Sequence, residues 1–313
     1  MMSNKDNFFL QSVDSEYQDL VIDDLLLSKF TVTIKREDKI HDFVSGNKYR
    51  KLKYNLAEAI DKNNVCLLTF GGAYSNHIAA VAAAGFEMGL ETIGIIRGEE
   101  IADRVAENPT LSFAKSKGMQ LHFVSREDYK KRTDWNFIDS LKEKFGKFYL
   151  IPEGGTNTLA IKGCEEILNE TDLDFDYICA PVGTGGTIAG LINASGPNQT
   201  VIGFSSLKGA FQKEVIENFT TKKNYYLTDS YCFGGYAKID SQLIRFINEF
   251  KKKNGIPLDP IYTGKMMYGI FDLLKQGYFK ENSRILAVHT GGLQGIAGMN
   301  QLLKKKKLPQ IDL

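Results

Sequence analysis

The chain has 313 residues, 43% of them hydrophobic and 25% charged, with 39 Lys and Arg against 38 Asp and Glu. That length reads as two domains of about 150 residues or one large one, and the composition excludes disordered, collagen-like and coiled-coil classes. A net charge of +1 leaves no electrostatic footprint for a nucleic-acid backbone or an acidic membrane surface, so a small molecule is the expected partner.

The first segment, Met1 to Asp24, is acidic and has no cationic stretch leading into an apolar one. It therefore does not read as a secretory signal, and a cytoplasmic setting is expected. From there, short apolar runs of strand length alternate with longer amphipathic stretches, which predicts an α/β chain with a parallel sheet and crossover helices. Strands are expected near Phe30–Lys35, Val65–Phe70, Thr92–Arg97, Gln120–Val124, Tyr177–Val182, Thr200–Phe204 and Arg284–Val288. Helices are expected at Asn47–Asp61, Asn76–Met88, Pro109–Lys117, Trp135–Phe145, Asn157–Glu170, Gly186–Ala194, Ser241–Asn254 and Lys265–Gln276. The longest run of small apolar residues, Ile78 to Gly85, is far short of the roughly 20 residues that cross a bilayer. Lys304 to Lys307 read as a solvated helix end, where cations complement the macrodipole. Cys66, Cys164, Cys179 and Cys232 lie far apart without a C-x-x-C pair, and His41, His77, His122 and His289 show no ligand spacing. Buried thiols in a reducing compartment and no metal are the expectation.

Three predicted strands run straight into paired glycines: Val65–Phe70 into Gly71-Gly72, Tyr177–Val182 into Gly183, Gly185 and Gly186, and Ile285–Val288 into His289-Thr290-Gly291-Gly292. In an open α/β sheet the carboxyl ends of strands line one crevice, so three such loops converge on one ligand. Taken singly, each could be only a tight turn that needs positive φ. Gly183-Thr184-Gly185-Gly186-Thr187 offers consecutive amides and two hydroxyls at a helix start, which suits a phosphate dianion. The dinucleotide fingerprint fails because Ile188 stands where a small residue is needed, and a P-loop fails because no lysine follows. A phosphate on a compact cofactor without adenosine fits best. Ser75 and Asn76 precede the apolar helix from Ile78; they could be plain caps, or they could hold a small carboxylate while Asn76 reaches the cofactor.

Lys48, Leu52, Leu56 and Ala59 fall on one stripe of the first long helix, so Lys48 is expected to point inward, with Arg50 and Lys53 solvated on the other side. An inward lysine can be a snorkelling side chain. Desolvated beside other cations, it also has the depressed pKa that a Schiff-base amine requires.

Five segments now carry a resemblance: Ser45-Gly46-Asn47-Lys48-Tyr49-Arg50-Lys51-Leu52, Gly71 to His77, Pro181 to Thr187, Tyr262-Thr263-Gly264-Lys265 and His289 to Gly292. Together, in this order, they resemble the family of 1-aminocyclopropane-1-carboxylate deaminase and D-cysteine desulfhydrase, pyridoxal-phosphate enzymes of the tryptophan-synthase-β fold (fold type II). The resemblance implies two domains of open, twisted, mostly parallel sheets with helices on both faces. The larger would comprise residues 1–53 and 159–313, and a smaller inserted α/β domain residues 54–158. It implies pyridoxal 5'-phosphate as cofactor, a small amino acid as substrate, and a homodimer. Lys48 would form the Schiff base and shuttle protons, Asn76 would bond the ring hydroxyl, and Gly183, Thr184, Gly185, Gly186 and Thr187 would cradle the phosphate. Thr290 would face the pyridine nitrogen. Ser75, Asn76 and His77 would receive the substrate carboxylate, and Tyr236 and Tyr262 would flank the substrate as proton-transfer or stacking groups.

Departures bear on the substrate. In the deaminase the tyrosine of the Tyr262 motif is followed by a glutamate placed toward the ring nitrogen; here Thr263 follows it. A neutral hydroxyl makes the ring a weaker electron sink, which favours elimination of a good β leaving group such as a thiolate over cyclopropane opening. His77 points the same way, since the desulfhydrase branch reads Ser-Asn-His. Ile78-Ala79-Ala80, in contrast, lacks the Arg-Gln pair common in both branches. The leading expectation is D-cysteine desulfhydrase-like α,β-elimination to pyruvate, sulfide and ammonia. The alternatives are cyclopropane deamination to 2-oxobutanoate and ammonia, a β-replacement transferase of cysteine-synthase type, and a catalytically idle ligand-binding relative.

Overall fold

The computed structural model describes residues 9, 11–22, 29–44, 46–209 and 212–312. Its strands form two sheets. The six-stranded sheet has the order β1 (Tyr17–Asp19), β2 (Thr31–Lys35), β10 (Arg284–Val288), β7 (Tyr177–Val182), β8 (Thr200–Ser205), β9 (Tyr225–Thr228), and only the β1–β2 pair is antiparallel. The four-stranded sheet is wholly parallel, in the order β5 (Gln120–Val124), β4 (Glu91–Arg97), β3 (Cys66–Gly71), β6 (Tyr149–Ile151). Between and around them lie α1 (Asn47–Asp61), α2 (Asn76–Met88), α3 (Pro109–Ser116), α4 (Trp135–Phe145), α5 (Thr158–Glu165), α6 (Gly186–Ala194), α7 (Gln212–Glu217), α8 (Ser241–Asn254), α9 (Thr263–Lys275) and α10 (Gly295–Lys305). The α/β architecture with mostly parallel sheets expected from the sequence is what forms.

Strand order explains where the loops meet. From β7 the chain steps to β8 and β9 on one side, while β10 pairs on the other. From β3 it steps to β4 and β5 on one side, while β6 pairs on the other. Each sheet therefore reverses its direction of winding beside a glycine-rich strand end, and such a switch point opens a crevice outside the carboxyl ends. The core follows the same division. Val32, Phe204, Ile247, Ile270 and Ile285 pack together in one cluster, and Leu52, Leu56, Leu67, Ile78 and Val81 in another. Ile78 to Gly85 are all buried, as expected for a helix apolar nearly all round.

Several sequence-based boundaries move. The predicted helix Asn157–Glu170 ends as α5 at Glu165, and a short 3-10 helix takes over at Glu170–Asp174. Asn169 and Asp172 cause this, since each side chain accepts a backbone amide of the other's segment in a capping box that starts a new turn. β1, β6 and β9 were not anticipated; they are three or four residues long and lie at sheet edges, too short to show a period. α10 was also missed, although Lys304 and Lys305 do occupy its last turn as a cationic helix end. Arg50 and Lys53, expected to be solvated, are buried. The face they occupy is covered because α1 packs on α5. There Arg50 Nε and Nη2 each donate to Glu37 at 2.8 Å, and Lys53 Nζ donates to Glu166 Oε2 at 2.6 Å. Desolvation of those cations is offset by paired carboxylates. All four cysteines are free and buried. Among the described residues no helix is long and apolar enough to cross a membrane.

Candidate active site

A cleft of about 880 Å³ opens between the carboxyl ends of the two sheets. Every residue nominated from the sequence lines it except Gly186: Lys48, Ser75, Asn76, His77, Gly183, Thr184, Gly185, Thr187, Tyr236, Tyr262 and Thr290. Ser45, which opens the lysine motif, lies outside the described residues.

Lys48 stands in the first turn of α1, and the start of that helix is fixed by glycine. Gly46 has φ +62°, and a Cβ there would lie 2.0 Å from the Thr290 carbonyl oxygen. Asn47 N–H donates to the same carbonyl at 3.3 Å. The lysine loop and the Thr290 loop are thus clamped together, which only glycine permits. Lys48 Nζ donates to Asn47 Oδ1 at 3.2 Å, and Asn47 Nδ2 donates to Thr187 Oγ1 at 2.8 Å, so one chain of bonds joins the amine to the start of α6. Burial pushes the Lys48 ammonium down to about 7, and the Lys51 charge presses in the same direction. A lysine so tuned is about half neutral amine at pH 7, where an ordinary lysine is almost wholly charged.

The start of α6 is uncapped. Gly185 takes the N-cap place at φ +90° with no side-chain bond, and the amides of Gly183 to Thr187 meet no acceptor among the described residues. Lys51 sits over this cradle. Its Nζ donates to the Gly154 carbonyl at 2.9 Å, to Thr156 Oγ1 at 3.1 Å and to Thr184 Oγ1 at 3.4 Å. It also lies 3.0 Å from where a Cβ on Gly186 would be. Amides, two threonines and a cation around one empty volume suit a dianion. Sequence reasoning passed over Lys51, although its i+3 spacing from Lys48 puts both on one face.

The start of α2 is built otherwise. Ser75 is its N-cap and its Oγ accepts from Ile78 N at 3.3 Å, while the amides of Asn76 and His77 find no acceptor among the described residues. Asn76 Oδ1 is buried without a hydrogen-bond partner. His77 is buried, its Nε2 pairs with Thr69 Oγ1 at 2.9 Å, and burial holds its pKa well below the ordinary value. Its ring is therefore neutral and anchored, so what it can offer an anion is its backbone amide.

Tyr262 packs its ring on the glycine-rich loop after β7, 3.1 Å from where a Gly183 Cβ would be. Tyr236, 46% exposed, meets it edge-on at 6.3 Å between ring centroids; desolvation raises the pKa of both phenols, that of Tyr262 well above its ordinary value. Lys265 holds the Tyr236 loop, since its buried Nζ donates to the carbonyls of Cys232 and Gly235, each at 2.8 Å. Thr263 is fully buried behind this wall rather than in the cleft. Its Oγ1 pairs with Asp259 Oδ1 at 2.8 Å, and the Asp259 carboxylate also accepts the amides of Ile261, Tyr262 and Thr263. Among the described residues no group of three or more His, Cys, Asp or Glu is placed to hold a metal.

These groups fit a compact phosphorylated aldehyde. The uncapped α6 start would suit its phosphate, the Lys48 amine its aldehyde, and the orphaned Asn76 Oδ1 a hydroxyl donor. Comparison with known proteins agrees. The family model described as pyridoxal-phosphate dependent enzyme matches residues 24–291. The bifunctional D-cysteine desulfhydrase/1-aminocyclopropane-1-carboxylate deaminase of Arabidopsis thaliana, a mitochondrial protein, is 33% identical over 84% of this chain and 72% of its own. The 1-aminocyclopropane-1-carboxylate deaminase of Rhizobium rhizogenes is 32% identical over 86% of this chain and 89% of its own. A solved structure described as an ACC deaminase homologue superposes with a TM-score of 0.78 at 28% identity, covering 94% of each chain. The chain belongs to the pyridoxal-phosphate dependent enzymes, within the group of 1-aminocyclopropane-1-carboxylate deaminases and D-cysteine desulfhydrases.

Proposed function

We propose that this enzyme eliminates a β substituent from a small amino acid, with D-cysteine as the representative substrate, giving pyruvate, sulfide and ammonia. When bound, pyridoxal phosphate supplies the electron sink that lets a bond at the amino acid's α carbon break. The protein supplies position and protons. Lys48 would hold the aldehyde of that group, and its Nζ, when free, would carry the substrate's α proton, a role matched to a pKa near neutrality. The Asn76 and His77 amides and the Ser75 hydroxyl orient the substrate carboxylate. Lys51 and the amides of Gly183 to Thr187 anchor the phosphate. Tyr262 and Tyr236 close the substrate's open side and keep their protons, because desolvation disfavours the phenolates. The reading also takes residues 54–158 as a smaller domain inserted into the rest of the chain.

One observation carries the choice of elimination. Thr263 is buried against Asp259, whose carboxylate already accepts four donors. Glu153 is the carboxylate that lines the cleft, and it is held by Tyr129 and Arg132. A neutral Thr290 hydroxyl is then the partner for the ring nitrogen, and the weaker electron sink suits a thiolate leaving group better than ring opening. The second reading is cyclopropane deamination, favoured by the name of the Rhizobium relative and by half of the Arabidopsis one. The two separate when D-cysteine, D-serine and 1-aminocyclopropane-1-carboxylate are compared in one assay of pyruvate, sulfide and 2-oxobutanoate. Sulfide and pyruvate from D-cysteine are the expected products. 2-Oxobutanoate as the dominant product would reverse the order, and silence on all three would defeat both. Consumption of added sulfide would instead reveal β replacement.

A further inference from the structure

The cleft is lined by five cations, Lys48, Lys51, Arg97, Arg126 and Arg132, and by one carboxylate, Glu153. Lys48 and Lys51 are committed to the cofactor on the reading above. Of the three guanidinium groups, two are neutralised in place. Arg126 Nε and Nη2 donate to Glu100 Oε1 at 3.1 and 2.6 Å, and Arg132 Nε meets Glu153 Oε2 at 2.7 Å. The Arg97 guanidinium has no hydrogen bond or ion pair among the described residues.

Its position is nonetheless built. Arg97 ends β4, and its guanidinium carbon stands 5.6 Å from the ring centroid of Tyr129. That ring is buried, is packed edge-on against Phe70 at 6.1 Å, carries Arg132 at 5.3 Å, and donates its hydroxyl to Glu153 at 2.7 Å. An aromatic shelf fixed at both ends thus presents one spare guanidinium to the cleft. Arg97 Nη2 lies 3.6 Å from where a Cβ on Gly72 would be, at the head of the loop that leads to Ser75. On the reading above the Asn76 and His77 amides and the Ser75 hydroxyl provide for an α-carboxylate, so Arg97, arriving from a different strand, is in excess for a substrate with a neutral side chain.

We propose that Arg97 recognises an oxyanion on the substrate's side chain, so that the enzyme prefers small amino acids bearing a sulfonate or phosphate there, which leaves as sulfite or phosphate when the β bond breaks. This rests on the elimination chemistry proposed above and moves its preferred substrate from D-cysteine, whose side chain is neutral, to anionic relatives of the same size. Planar, bidentate recognition by an otherwise unpaired guanidinium is the interaction that discriminates such groups.

The test is a titration of the holoenzyme's cofactor absorbance with matched pairs: cysteate against cysteine and O-phosphoserine against serine, each in both stereochemical forms, for the native enzyme, Arg97→Ala and Arg97→Lys. The native enzyme should bind the anionic member of a pair more tightly. Arg97→Ala should weaken that member about 10- to 100-fold, as loss of a charged hydrogen-bond partner does, with the loss confined to anionic members. Arg97→Lys should recover part of it, since a point charge replaces the fork. Equal binding of both members by the native enzyme, or an equal loss for both in Arg97→Ala, overturns the proposal and leaves the elimination reading intact. A holoenzyme whose spectrum responds to no amino acid overturns the elimination reading and this one with it.

Discussion

Two helix starts face each other across the cleft and solve different problems. α2 begins with Ser75, whose side chain takes one of its orphan amides. α6 begins with Gly185 and has no side-chain cap. A capped start with two free amides and a hydroxyl suits a monoanion such as an amino-acid carboxylate. An uncapped start with a run of free amides, flanked by Thr184, Thr187 and the Lys51 ammonium, suits a dianion. The same backbone dipole serves both; what differs is whether the cap is filled by the protein or left for a ligand. Changes at α6 should therefore act on cofactor retention, and changes at α2 on substrate.

The largest effect is expected at Lys48, the group between the two starts. Lys48→Ala should lower turnover by about 10³-fold or more, and borohydride reduction followed by peptide mapping should no longer label this helix. Label appearing on another lysine would break the assignment. Next, Gly186→Val should place a side chain against Thr156 Oγ1 and Lys51 Nζ, which stand 2.8 and 3.0 Å from the position of a Cβ. Loss of about 10- to 100-fold in cofactor affinity is expected from the displaced charged contact, read by equilibrium dialysis, with the substrate KM of the loaded fraction unchanged. Ser75→Ala should show the converse pattern. The KM should rise about 10-fold and the unfolding free energy should fall by about 1 kcal/mol for the lost cap, with cofactor retention intact. If Ser75→Ala sheds cofactor instead, the division of labour between the two starts is wrong.

The smallest effect concerns pH. The Lys48 ammonium is lowered from 10.5 to about 7 in the folded chain. The unfolded chain therefore binds the extra proton between those values. The penalty for burying the charge is fully present below about 7, and apoprotein stability from this group rises as pH climbs from there toward 10.5. Reattachment of cofactor to the apoprotein should speed up through pH 7 as the amine loses its proton. Because the Lys51 charge is part of the cause, Lys51→Met should move that midpoint upward. An unmoved midpoint would leave burial alone responsible.

Sequence alone determined the alternation of strand and helix, because parallel strands buried on both faces read as apolar runs that amphipathic helices interrupt. It also placed the glycine-rich strand ends and the inward lysine, since those depend on local spacing. Tertiary structure decided the rest. Arg50 and Lys53 look solvated by helical period, yet α5 covers them and Glu37 and Glu166 neutralise them. Lys51 reaches the start of α6 only because Gly154, Thr156 and Thr184, which hold its Nζ, come from other elements. Arg97, Tyr129 and Glu153 lie apart along the chain and share a wall only because three strands of one sheet end together. Period reports which way a side chain points along its own element; which neighbour lies there, and with what charge, is fixed by packing between elements.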